Sequence, residues 1–477
     1  MSRNKIQFGR PSKSKVKLTD ISLTIENLSL DGRGVARYKG KTVFVDGAIP
    51  GETVSVKITQ QHKAFDEASI LSIEEPSQLR IKANCEHFNH CGGCQLQHIE
   101  ADAQLQFKQK AVLSLLEHNS KITPLNIASP LASKSVNYRR TARIGVNQLG
   151  QNQGAIVGFR RKNSSKLLQV SKCNVLTENF ASLFDQLRET LEQIENAKAI
   201  THVELLQGDQ QGALTFRCKA ILSPASCALL ESMLQSLNLQ GFLRYDDCLA
   251  KLKTSLTQGL EETLDYKVND LVVSFKPGDF IQVNALVNQQ MINRATSWLA
   301  LEKSDEVLDL FAGLGNFSLP IAQQVCKLVG IEGSKTMVER ATENASLNQL
   351  QNCQFFSADL SSQIDDQPWF QQSFNKIILD PPRSGAYDVI SSLFAKDTAH
   401  TNISHIVYVA CDPTSFARDA KLLAGLGYQI QEFCVMDMFP NTTHIESMAL
   451  FTKNKNPIPA SPMKKTVKRK IHRLTNF

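Results

Sequence analysis

Two sets of residues in this chain have the types and spacing to do chemistry. The first is CEHFNHCGGC, which places Cys85, Cys91 and Cys94 within ten residues. The second is VYVACDPTSFARD, which places Cys411 just past an apolar run. The N-terminal segment MSRNKIQFGRPSKSKVK is polar and basic and lacks the apolar stretch of a signal peptide, so a cytoplasmic chain with reduced thiols is expected. Close cysteine spacing then points to a metal centre rather than to disulfides. The local motif supplies three ligands. His87, His90 or His98 would complete a tetrahedral zinc site. An iron–sulfur cluster would want a fourth thiolate, and Cys173 in QVSKCNVL is distant in sequence but in the same region.

Cys411 calls for different chemistry. A structural cysteine usually lies within a strand as a small apolar residue, whereas Cys411 precedes Asp-Pro, a turn former. A thiol at that edge is a candidate nucleophile, provided the site promotes its thiolate. A base is available nearby in NTTHIESM, as His444 or Glu446; His444 has the more convenient unperturbed pKa, and spacing does not choose between them.

The elements that must position these residues follow from the texture of the chain. From about residue 300, strand-like and helix-like segments alternate: EVLDLFAGLGNFSLPIA, KLVGIEGS, KTMVERATENASLNQL, CQFFSAD, KIILDPPR, HIVYVACDP and FARDAKLLAGLG. That order predicts a parallel, doubly wound sheet, with YQIQEFCVMDMF and ESMALFTK as a closing antiparallel pair. In VLDLFAGLGNFS, Asp309 and Phe311 end a strand and Gly313 and Gly315 make a turn that lets a ligand approach the backbone. The third glycine of the dinucleotide fingerprint is replaced by Ser318, and no GK[ST] follows. Glu332, Asp359 and Asp380 each close one of the next strands. Acids at those edges suit a nucleoside, with Glu332 toward the ribose hydroxyls and Asp359 toward the base edge.

Upstream, residues 18–74 read as short strands broken by DGRG, YKGK and IPGE, the pattern of a small β-barrel with Arg33, Arg37, Lys39 and Lys41 in its turns. A mixed α and β region runs to about residue 270. It contains Arg139, Arg140, Arg143, Arg160, Arg161 and Lys162 as candidate phosphate contacts. Charge is uneven. Residues 1–17 carry six Lys/Arg and residues 453–477 carry eight, neither with an acid, so residues 18–452 are net −7 while the chain is +7. Such tails often grip polyanions. No apolar run is long enough to cross a bilayer.

Several of these motifs resemble one family. The form D-x-F-x-G-x-G-N-F-S matches the S-adenosylmethionine loop of class I methyltransferases, and the barrel resembles a TRAM domain. In DPPR, Arg383 stands where amino-group methyltransferases carry an aromatic, which disfavours an exocyclic amine target. VACDPTSFARD, FPNTTHIESMALF, DPPRSG, FAGLGNFSLP and PGDFIQVN are similar to the motifs of RNA uracil-C5 methyltransferases, over almost the whole chain up to residue 452. The resemblance implies a class I, Rossmann-like catalytic domain behind an OB-like barrel and a central α+β iron–sulfur domain. It implies Cys411 as nucleophile on uracil C6, Glu446 as base, and Gln282, Phe311, Asn316, Glu332, Asp359 and Asp380 around S-adenosylmethionine, with His444 an accessory at most. It also implies a [4Fe–4S] cluster on Cys85, Cys91, Cys94 and Cys173, zinc being the alternative. Barrel and cysteine cluster together match the branch that acts on 23S ribosomal RNA, at uracil-1939. The expected organisation is a basic arm (1–17), barrel (18–74), central RNA-binding domain (75–270), catalytic domain (271–452) and basic tail (453–477), acting as a cytoplasmic monomer without a membrane partner. The alternatives are another ribosomal or transfer RNA uridine, or a non-catalytic iron–sulfur RNA-binding protein.

Overall fold

The computed structural model describes residues 20–148, 154–246, 248–253, 263–362, 364–395 and 400–454. The basic arm lies outside them, as does the basic tail beyond residue 454.

Six short strands between Ile21 and Glu75 form one sheet. Alternation sets its core: in KTVFVD, Val43 and Val45 point inward and pack with Leu23, Ala36, Val54 and Val56. Glu52 is wholly buried at the edge of this unit and is held by Arg80, whose Nη2 donates to its carboxylate at 2.8 Å. The cysteine stretch follows without regular secondary structure. A seven-stranded sheet then spans Thr141–Gln148 to Cys248–Lys251, with the helices Leu183–Gln193 and Pro224–Ser236 packed against it. Leu183, Leu187 and Leu191 recur every fourth residue and bury one helix face.

The last sheet has eight strands in the order Cys353–Ser357, Lys327–Glu332, Glu306–Leu310, Lys376–Leu379, His405–Ala410, Glu446–Lys453, Tyr428–Met436 and Asn126–Ile127. The first five are parallel, and Glu446–Lys453 inserts antiparallel between its neighbours. Sequences such as KIIL and HIVYVA are apolar without alternation because helices cover both faces.

One segment goes elsewhere than its place in the sequence suggests. The helix Ala101–Leu115, expected with the central region, docks on the catalytic sheet. Its Leu105 and Val112, with Leu116, join the core of Phe416, Phe433 and Phe451. The strand Asn126–Ile127 then adds to that sheet's edge, pairing in parallel with Phe433. The reason is apolar area: both faces of the sheet need cover, and on this flank the helix Ala101–Leu115 supplies it together with Pro413–Gly425. Among the described residues no helix is long and apolar enough to cross a membrane.

Candidate active site

The strand order carries four of these residues to one edge: Glu332 is the last residue of its strand, Asp380 and Cys411 come directly after theirs, and Asp359 lies two residues past the strand end. Glu446 reaches the same edge from the opposite direction. Its strand is antiparallel, and the pairing ends at Ala410 and Ser447, one residue short of Cys411 and of Glu446. A thiol thus leaves one strand where a carboxylate enters the next. Both line a cleft of about 1140 Å³ that also contains Gln282, Phe311, Gly313, Glu332, Asp359, Asp380 and Arg383.

The electrostatics of the cleft favour proton retention. Burial, then the charges of Glu446 and Asp380, push the Cys411 thiol up to about 12, while Arg383 opposes them. The thiol donates to the Pro381 carbonyl at 3.8 Å. Burial and the Asp380 charge raise Glu446 well above the ordinary carboxylate range, against Arg383 and Lys108. Asp380 is itself raised to about 7 by burial. His444, the competing base, is exposed as a whole residue, but partial burial of its ring and then the Arg383 charge hold its pKa below the usual value, and its Nδ1 lies 3.3 Å from Arg383 Nη2. It does not line the cleft.

On the other side, the backbone of the glycine turn is tightly held. Phe311 is left-handed at φ 68°, a conformation that costs about 1–3 kcal/mol for a non-glycine residue. The N–H groups of Phe311 and Ala312 both donate to the Ile331 carbonyl. Glu332 accepts from Gly313 N–H at 3.1 Å and Ser334 N–H at 3.0 Å, which turns its carboxylate across the cleft. Asp359 is exposed, and hydrogen bonds from Ser361 and Ser362 keep it readily ionised. Gln282 donates to Asp380 at 3.3 Å.

Asn316 stands apart from the other residues expected around the cofactor. Its amide donates to Asn288 at 2.8 Å and accepts from Tyr266 OH and Asn288, both at 3.0 Å, and it is not among the cleft-lining residues. These bonds tie the glycine turn to Tyr266 and to the helix Ala285–Leu299. Arg140 is a correction among the candidate phosphate contacts. Expected at phosphates, it is 3% exposed, lies over the Tyr266 ring at 4.4 Å and donates to the Gln282 carbonyl at 2.7 Å. Sequence reading also passed over Phe280, 68% exposed at the cleft, and Phe439 and Arg418 in its wall. An exposed aromatic in PGDFIQVN is a signal only once exposure is known.

The model of the tRNA (uracil-5-)-methyltransferase family matches residues 100–454, about three-quarters of the chain. The chain belongs to this uracil-C5 methyltransferase family. A TRAM domain model matches residues 19–71. The chain is 41% identical over 436 residues to the 23S rRNA (uracil(1939)-C(5))-methyltransferase RlmD of Psychromonas ingrahamii, covering 90% of this chain and 96% of that one. The enzyme of the same name from Legionella pneumophila (strain Paris) is 38% identical over 93% of this chain and all of its own. The crystal structure of the Pyrococcus abyssi tRNA (uracil-54, C5)-methyltransferase, in complex with S-adenosyl-L-homocysteine, shares the fold at TM-score 0.70 and 23% identity, covering 90% of this chain and 99% of that one.

In this uracil-C5 methyltransferase the cysteines form a second polar grouping. Cys94 feels the charges of Cys173, Cys91 and Cys85, and burial pushes its thiol up to about 12. Cys173 in turn feels Cys91 and Cys85. The segment around Cys173 packs beside the cysteine stretch, with Ser171 Oγ donating to Glu86 at 3.0 Å and Asn174 Nδ2 to the Asn84 carbonyl at 2.9 Å. Gly93 N–H donates to Cys91 Sγ at 3.4 Å. His98 faces a different set of charges, those of Arg80, Glu52, Lys162 and Asp46. Among the described residues no three His, Cys, Asp or Glu side chains are arranged to hold a single metal ion.

Proposed function

We propose that this chain converts uracil-1939 of 23S ribosomal RNA to 5-methyluridine, with S-adenosylmethionine as methyl donor. The observation that carries the reading is that Cys411 and Glu446, each one residue beyond the paired Ala410 and Ser447, line the same cleft as Gly313. Bound S-adenosylmethionine supplies a methyl group activated on a positively charged sulfur. Gln282, Phe311, Glu332, Asp359 and Asp380 hold it, with Glu332 on the ribose hydroxyls and Asp359 toward the adenine. Asn316 supports the turn from outside the cleft.

Uracil C5 is too weak a nucleophile to take the methyl group unaided. Cys411 adds as thiolate to C6, and the C5–C6 π electrons move toward the C4 carbonyl to give an enolate. C5 then takes the methyl group. Glu446 removes the C5 proton; those electrons re-form the double bond and expel the Cys411 thiolate from C6. A carboxylate raised above its usual range is the stronger base for that proton. The target uracil must leave its stack to reach both groups, and the exposed Phe280 ring offers a face for an unstacked base.

Cys85, Cys91, Cys94 and Cys173 hold a [4Fe–4S] cluster that organises the central domain. The chain works as a cytoplasmic monomer, with domains at 18–74, 75–270 and 271–452 between two basic tails. The test uses 23S rRNA fragments bearing 5-fluorouridine. Fluorine cannot leave as the proton does, so a protein–RNA band surviving a denaturing gel is expected, lost in Cys411→Ala and mapping to the target nucleotide. Methyl transfer to ordinary RNA without any trapped band would sink the covalent route, and a band mapping to a different nucleotide would sink the site.

A further inference from the structure

The loop 437–445 delivers Glu446 to the cleft, and it is clamped from outside the catalytic sheet. Lys108 forms a buried ion pair with Asp437 at 2.7 Å and donates to the Phe439 carbonyl at 3.2 Å. Tyr138 OH donates to the Pro440 carbonyl at 3.0 Å. The centre is Asn441, buried and left-handed at φ 66°. Its carbonyl accepts from Gln95 N–H and Leu96 N–H, both at 2.9 Å. These are the first two residues after Cys94. Its N–H donates to Gln104 Oε1 at 3.0 Å, and its amide donates to the Ser135 carbonyl at 2.9 Å. Gln104 Nε2 closes the ring on the carbonyls of Leu96 (3.0 Å) and Ile99 (2.9 Å) and on Asn441 Oδ1 (3.3 Å). Thr443 N–H adds a contact to the Gln95 side chain at 3.4 Å.

A buried and satisfied network of this kind fixes one geometry, because any shift leaves polar groups unpaired. Asparagine suits the left-handed position as few other side chains do. Cys411 is held separately. It follows the strand His405–Ala410, and the next turn is capped by Asp412 accepting from Ser415 N–H at 2.8 Å.

We propose that the polypeptide leaving the cysteine cluster is a positioning element for proton abstraction: Gln95, Leu96 and Gln104 seat Asn441, and through it Glu446. The inference rests on the roles given above to Cys411 and Glu446. Loosening Asn441 then spares thiol addition and methyl transfer and slows the final elimination.

The experiment incubates Asn441→Ala with ordinary 23S rRNA fragments and methyl-tritiated S-adenosylmethionine. A misplaced catalytic group can cost on the order of a hundredfold in rate. The expected result is a methyl-labelled protein–RNA band, resistant to denaturation, at least about tenfold above wild type, with release of 5-methyluridine reduced to match. Trapping on 5-fluorouridine RNA stays near wild type. Asn441→Gly, which accepts the backbone angle but loses the side-chain bonds, falls between. Should Asn441→Ala fail to fold by thermal unfolding, Gln104→Met carries the same assay. Parallel loss of trapping and turnover, or turnover equal to wild type, overturns the inference while leaving the function intact. Absence of trapping by wild-type protein instead overturns the function, and the inference with it.

Discussion

At the scale of single residues, Cys411 faces opposing charges. Burial, Glu446 and Asp380 disfavour the thiolate, and Arg383 favours it. With the thiol near 12, the reactive fraction at neutral pH is small, so trapping on 5-fluorouridine RNA should speed up about tenfold per pH unit until another step limits. Removing a cation raises a thiol pKa. Arg383→Gln is therefore expected to displace this rate profile to higher pH, by roughly half a unit because the guanidinium is exposed and screened. The displacement should shrink as salt is added. A profile unmoved by Arg383→Gln would assign thiolate stabilisation to another group.

At the scale of elements, the turn after Lys376–Leu379 is tied to the helix that follows Cys411. Asp419, fully buried in the helix Pro413–Gly425, accepts from Ala386 N–H (2.6 Å), Tyr408 OH (2.8 Å) and Arg418 Nε (2.8 Å). Arg418 in turn donates to the Ser384 carbonyl at 2.8 Å. Gly385 sits inside this knot at φ 78°, and an added Cβ would meet the Asp419 carboxylate and the Arg418 guanidinium. Gly385→Ala should destabilise by about 1–3 kcal/mol, combining backbone strain with that clash. Thermal unfolding measures it, and a midpoint equal to wild type would show that the turn has room to move.

At the scale of the whole molecule, the units share cores. Ile49 of the barrel region packs with Leu96, Ile99 and Ala103 next to the cysteine loop. Leu105, Val112 and Leu116 complete one face of the catalytic sheet, while Leu206, Ala213 and Phe242 pack into the core on its other side. A fragment of residues 271–454 would expose all of that apolar surface. It is expected to lack cooperative unfolding and to bind hydrophobic dye, as packing-deficient states do. A sharp calorimetric transition for this fragment would mean that the shared core is dispensable.

The sequence by itself determined the alternation of strands and helices, the glycine turn and the small barrel, because each follows from local periodicity and turn chemistry. It also carried the family, since the motifs around Cys411, Glu446 and Asp380 are contiguous in the chain. Only the tertiary structure decided what depends on distant partners. An antiparallel insertion brings Glu446 into the same cleft as Cys411 and leaves His444 out of its lining. Packing turned Asn316 and Arg140 inward, one into an amide network and the other onto Tyr266. The helix Ala101–Leu115 left its sequence neighbours for the catalytic sheet, because apolar area is satisfied wherever a face stands open, and sequence order places no limit on where that is.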